Sequence, residues 1–168
     1  EGRIAVYMAN DNEEAMLEDF GFAGTVSSDT KVPETGIYTS ACYGGKMFYY
    51  LASDIDVGKG VKNSDGSITY DMKVTFSNQL DSAELGFDGS LHFFVYLLAP
   101  SGGKISDITT EGTFYGADEY PIPAFAITAG GNDAMNETTY QGNDLWYGWT
   151  KVPMGDKTVI TYKVTTAP

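Results

Sequence analysis

The chain reads as an all-β protein, an antiparallel β-sandwich of jelly-roll type. Three observations predict it. Residues 67–77 alternate strictly, with Ile68, Tyr70, Met72, Val74 and Phe76 on one face and Ser67, Thr69, Asp71, Lys73, Thr75 and Ser77 on the other. That period of two marks a half-buried antiparallel strand. The C-terminal run repeats it, with Ile160, Tyr162 and Val164 set against Thr161, Lys163 and Thr165. Turn chemistry then punctuates the rest: Asn63-Ser64-Asp65-Gly66, Asp88-Gly89, Ser101-Gly102-Gly103 and Gly130-Gly131-Asn132-Asp133. Short strands separated by Gly-rich turns build sandwiches and barrels.

Further strands are expected over 3–8, 22–27, 36–42, 46–57, 91–99, 112–115, 122–128 and 145–151, all rich in Val, Ile, Thr, Tyr and Phe. In 46–57, Met47, Tyr49, Leu51, Ile55 and Val57 form one face. At most one short helix is expected, near residues 12–19. There Asp11 can cap and Glu14 can close a capping box, while Met16 and Phe20 share a face. Alone it would be marginal, so it must lean on the sandwich. No linker or internal repeat divides residues 1–168, and the length suits a single module.

Composition narrows the function. The 42% hydrophobic and 20% charged content is that of a globular chain. No apolar run reaches the length of a membrane-spanning helix. The net charge of −13, with Arg3 as the sole arginine, excludes nucleic acid and anionic lipid as natural partners. It suits a neutral or cationic ligand. Cys42 is the only cysteine, so no internal disulfide forms.

Catalytic chemistry finds little support. His92 and Cys42 are single residues, and no serine-hydrolase or zinc-protease motif occurs. Sandwich glycosidases need two carboxyls facing each other across a cleft. Most glutamates here fall in expected loops, strand ends or the short helix; Glu84 has no evident partner, and Asp54 and Asp56 point the same way. The chain is therefore not expected to be an enzyme and requires no cofactor. A structural calcium could sit in the oxygen-rich stretches Asn10-Asp11-Asn12-Glu13-Glu14 or Gly131-Asn132-Asp133.

The aromatic residues are more pointed. Both tryptophans lie in Leu145-Trp146-Tyr147-Gly148-Trp149, after a polar loop expected over 136–144. A spacing of three sends them to opposite faces of a strand: Leu145, Tyr147 and Trp149 share one, and Trp146, Gly148 and Thr150 the other. A bulge at Gly148 would be needed to bring both rings onto one platform. One tryptophan is thus expected to anchor a ligand while the other packs in the sandwich. A second aromatic loop carries Tyr115, Asp118 and Tyr120. His92, Phe94 and Tyr96 admit two readings: the second face of a central strand that a loop or the short helix covers, or an open concave face that binds a chain.

With its few Arg and Cys, its acidity, its alternating strands and its aromatic loops, the chain resembles the β-sandwich carbohydrate-binding modules of secreted, cellulosome-type bacterial polysaccharide degraders. The resemblance implies a non-catalytic, extracellular module, tethered to a larger secreted protein and binding a neutral plant polysaccharide such as a β-glucan or hemicellulose. It implies stacking by Trp146, Tyr147, Trp149, Tyr115 and Tyr120, and hydroxyl contacts from Asp118, Gln141, Asn143 and Asp144. Two other classes share the features: an adhesin-, cohesin- or pilin-like protein-interaction module, and a small sandwich-fold glycosidase.

Overall fold

The structure, a computed structural model, describes residues 30–31, 33–41, 46–81, 89–115 and 135–168. Ten strands follow one another: β1 (Gly36–Ala41), β2 (Leu51–Val57), β3 (Val61–Lys62), β4 (Ile68–Asn78), β5 (Leu91–Leu98), β6 (Lys104–Glu111), β7 (Thr113–Tyr115), β8 (Asn136–Tyr140), β9 (Asn143–Val152) and β10 (Lys157–Thr165). They form two antiparallel sheets packed face to face. The first runs β1-β5-β9-β7, with β8 also on β9; the second runs β2-β4-β10-β6, with β3 on β4. The expected β-sandwich is the observed one.

Alternation builds the core. Met72, Val74 and Phe76 of β4 and Ile160, Tyr162 and Val164 of β10 face inward from the second sheet, all buried. Leu91, Phe93, Val95 and Leu97 of β5 answer from the first sheet with Val152 of β9. Phe76 meets Phe93 edge-on across the interior at 5.4 Å between ring centroids. Each such side chain contributes roughly 1.5–3 kcal/mol by leaving water.

One buried polar residue ties the two sheets. Asn78 closes β4, and its Nδ2 donates to the Gly89 carbonyl at 2.7 Å and to the Val152 carbonyl of β9 at 3.1 Å. Its Oδ1 accepts from Leu80 N at 3.1 Å. A side chain so fully satisfied fixes where β4 ends over the first sheet.

Turns behave as their residues require. In the Asn63–Gly66 turn, Gly66 takes φ +100° and donates to Asn63 O, while Asp65 accepts from Ser67 N and Oγ. Those bonds hold the Asp65 carboxyl below its ordinary pKa.

Three expectations need correcting. Residues 46–57 are not one strand: Lys46–Tyr50 forms a 3-10 turn and the strand starts at Leu51. The partner β4 stops at Asn78, opposite Leu51, so earlier residues have no ladder to join. The turn lets Phe48 swing inward against Phe93 at 5.6 Å and leaves Tyr49 in solvent. Residues 136–144 are not a loop but a hairpin, β8 to β9, closed by Gln141 and Gly142. Both take positive φ (50° and 80°), the signature of the two-residue turn whose twist suits a hairpin. Strand β6 was not expected. A register shift opposite Thr161 and Lys163, with Asp107 at φ 53°, separates Ile105 from Ile108 and hides the alternation.

The helix near 12–19, the strands over 3–8, 22–27 and 122–128, Cys42, Glu84 and both oxygen-rich stretches lie outside the described residues. No described helix is long and apolar enough to cross a membrane.

Two substitutions test this packing in urea denaturation. Asn78→Ala leaves the Gly89 and Val152 carbonyls and the Leu80 amide without partners and is expected to cost about 2–3 kcal/mol. Tyr162→Phe is expected to cost nothing or to stabilise slightly. The Tyr162 hydroxyl is buried with no hydrogen-bond partner among the described residues, and burial pushes its pKa well up.

Candidate functional site

The register of β5 on β9 decides which aromatic rings reach the outside. Phe93 lies opposite Thr150, Val95 opposite Gly148 and Leu97 opposite Trp146, and these face the core. The intervening pairs, His92–Lys151, Phe94–Trp149, Tyr96–Tyr147 and Leu98–Leu145, therefore lie on the outer face of the first sheet. The ladder runs unbroken through Gly148, so no bulge brings the two tryptophans together.

Strand β1 extends this face. Tyr38 sits opposite Tyr96, and Ser40 opposite Phe94. The result is a row of three tyrosines, Tyr38, Tyr96 and Tyr147, crossing three adjacent strands at one level. Neighbouring strands lie about 4.8 Å apart, so the row spans roughly 10 Å. Tyr96 and Tyr147 are near-parallel, 30° between planes, with centroids 6.5 Å apart. Phe94 and Tyr96 are similar at 6.1 Å and 33°. These separations are too long for rings stacked face to face, so the rings lie slipped beside one another. Tyr38 is 52% exposed, and its ring lies over Gly36, where a Cβ would collide with it. Tyr140, at the hairpin end, falls on the same face and is also exposed.

Beside the row, Trp149 stands edge-on to Phe94 at 4.9 Å and 5.9 Å from His92. It is only 4% exposed, so it supports its neighbours rather than presenting a free ring. Burial pushes the Tyr147 phenol above its ordinary pKa.

The other outer face differs completely. On the second sheet Asp71, Lys73, Thr75, Thr161, Lys163 and Thr165 project outward. Thr69 bonds Thr165 at 2.9 Å, and Lys163 pairs with Asp107 at 2.6 Å. The Asp107 hydrogen bond and charge, helped by Asp71, raise the Lys163 pKa. A shallow hollow of about 460 Å³ there is lined by Asp56, Asp71, Lys73, Asp107 and Lys163. This is a solvated ladder of threonines and paired charges.

The structure places the expected site residues unevenly. Tyr147 and Trp149 are on the aromatic face. Trp146 is not: it packs on the core between the sheets, half-buried, with Nε1 lacking a hydrogen-bond partner among the described residues. Gln141 is exposed at the hairpin turn, and Asn143 beside it is buried. Asp144 works inside the fold. Its carboxylate accepts from Ile105 N of β6 at 2.9 Å, and its carbonyl accepts from Ala99 N at 2.8 Å.

Asp118 and Tyr120 lie outside the described residues, and Tyr115 is described by its backbone alone. Tyr115 pairs with Trp149, and Asn136 with Tyr147.

No local sequence signal marks Tyr38, because its partner Tyr96 is 58 positions away and only pairing reveals the row. Phe94 and Tyr96 carried a signal, a strand apolar on both faces. Among the described residues no group of three or more His, Cys, Asp or Glu is arranged to hold a metal ion.

Acrylamide quenching of single-tryptophan variants checks the placement. Trp146, alone in Trp149→Phe, is expected to be quenched about twofold more strongly than Trp149, alone in Trp146→Phe; the reverse order would contradict it. Comparison with protein families, characterised proteins and solved structures found no match to this chain.

Proposed function

We propose that this chain is a non-catalytic module that binds a neutral polysaccharide across the outer face of its first sheet. The observation that carries the reading is the Tyr38–Tyr96–Tyr147 row. Sugar rings are apolar on their C–H faces and polar at their rims. A row of slipped tyrosines offers ring surface for the first and phenol hydroxyls for the second. The span of roughly 10 Å suits about two pyranose units, because the row crosses three strands.

Charge supports an uncharged ligand. With −13 overall, an anionic polysaccharide would be repelled, whereas a β-glucan or hemicellulose would not. Binding without chemistry fits a face built from phenols, phenylalanine, tryptophan and one histidine. In this reading the module is extracellular and tethered to a larger secreted bacterial protein that degrades plant polysaccharide. Trp146, packed on the core, takes no part in this binding, and Tyr38 and Tyr96 act beside Tyr147.

Affinity electrophoresis against soluble β-glucan, xyloglucan, xylan and mannan tests the proposal. At least one should retard the wild type. Tyr38→Ala and Tyr147→Ala should each weaken retardation about 5- to 50-fold, a loss of roughly 1–2.3 kcal/mol. Thr161→Ala, on the opposite sheet, should change nothing. Retardation by none of the four, or retardation indifferent to both tyrosines, would sink the reading.

A further inference from the structure

Glycine is a poor strand former, because it has no side chain to pack and loses the most backbone freedom on folding. Strand β1 nevertheless opens on one. Gly36 pairs with Leu98, and Thr35 fixes that start by donating from Oγ1 to the Leu98 carbonyl at 2.7 Å. Gly36 does not take a left-handed φ, so its backbone conformation is open to any residue. The need for glycine is spatial instead.

Gly36 and Tyr38 are two apart on one strand and share the outer face. A Cβ on Gly36 would overlap Cε2 of the Tyr38 ring and fall 2.8 Å from both its Cζ and its hydroxyl oxygen. The three atoms such a Cβ meets first all belong to Tyr38. The tip of the ring therefore fills the place of the missing side chain. Strand side chains commonly lean along the strand, and here the lean is complete only because position 36 is bare.

We infer that Gly36 is a positioning residue of the glycan site, which sets the height and tilt of the Tyr38 ring so that all three tyrosines of the row meet one sugar chain. The inference rests on the glycan reading above. Tyr96 and Tyr147 are half-buried on the inner strands of the row, whereas Tyr38 is exposed on its outermost strand. A chain crossing β1, β5 and β9 touches all three only if Tyr38 does not stand above the other two. Leaning into the gap at Gly36 lowers the ring along β1. Any side chain at 36 would prop it upright, and the sugar would then rest on Tyr38 at the expense of Tyr96 and Tyr147.

The obstacle that alanine meets at 36 is the movable end of a side chain and not backbone. Stability and affinity should therefore respond differently, because alanine suits a strand at least as well as glycine.

Urea denaturation, affinity electrophoresis and proton nuclear Overhauser contacts on the full chain test this together, with whichever of the four polysaccharides retards the wild type most. Contacts between the Gly36 Hα protons and the Tyr38 ring should be present in the wild type. Gly36→Ala should keep or raise the urea midpoint and weaken retardation about threefold or more, and Gly36→Val should weaken it at least as much. In a Tyr38→Ala background, Gly36→Ala should change retardation less than about 1.5-fold, because the ring it displaces is gone. Tyr38→Phe, which keeps the ring, should bind more tightly than Tyr38→Ala. If Tyr38→Ala loses retardation and Gly36→Ala does not, the inference falls while the glycan reading stands. An equal loss from Gly36→Ala with and without Tyr38 overturns it too, as does a lowered urea midpoint or an unfolded Gly36→Ala, which would make the glycine structural. A wild type that none of the four retards overturns the glycan reading and this inference with it.

Discussion

The pairing of β5 with β9 governs the rest of the molecule. Both strands lie inside the first sheet, and both carry large side chains on each face. Side chains alternate with a period of two, so a slip of β5 by one residue against β9 would turn Phe93, Val95 and Leu97 outward and bring Phe94 and Tyr96 into the core. The small inward residues opposite them set the choice. Thr150 and Gly148 leave room for Phe93 and Val95 where the sheets meet, while the two central outer pairs, Phe94–Trp149 and Tyr96–Tyr147, are aromatic against aromatic. Asn78 and Asp144 then hold the second sheet over this frame, the first through the Val152 carbonyl and the second through Ile105 N.

From that register follows the asymmetry of the two outer surfaces. One sheet shows water threonines and paired lysines and aspartates, the ordinary covering of a solvated sheet. The other shows tyrosines, phenylalanine and histidine, with Trp149 wedged between Phe94 and His92. Exposed aromatic area gathered on one face is a feature that interaction sites commonly share.

Much of this was legible from residue order. The strict alternation over 67–77 and 160–165 located two central strands and identified which faces they bury. The spacing of Trp146 and Trp149 correctly sent them to opposite faces. It did not say which face was which: the inward ring, Trp146, is only partly buried against the core, and the outward ring, Trp149, is the one covered. Strands β6 and β8 stayed hidden for physical reasons. An irregular register breaks the period in β6, and β8 lies at an edge where polar residues such as Glu137 and Thr139 remain exposed. The tyrosine row was invisible because it is a property of three strands together. No local window contains Tyr38, Tyr96 and Tyr147.

The central claim is that ligand meets the first sheet and not the second. Amide chemical-shift mapping during titration with a soluble oligosaccharide tests it most directly, using a hexasaccharide of whichever polysaccharide retards the protein. The account predicts shifts that saturate at Tyr38, Tyr96, Tyr147 and their strand neighbours, with Lys73, Thr161 and Lys163 unmoved. Shifts confined to the threonine and lysine face of the second sheet would contradict it.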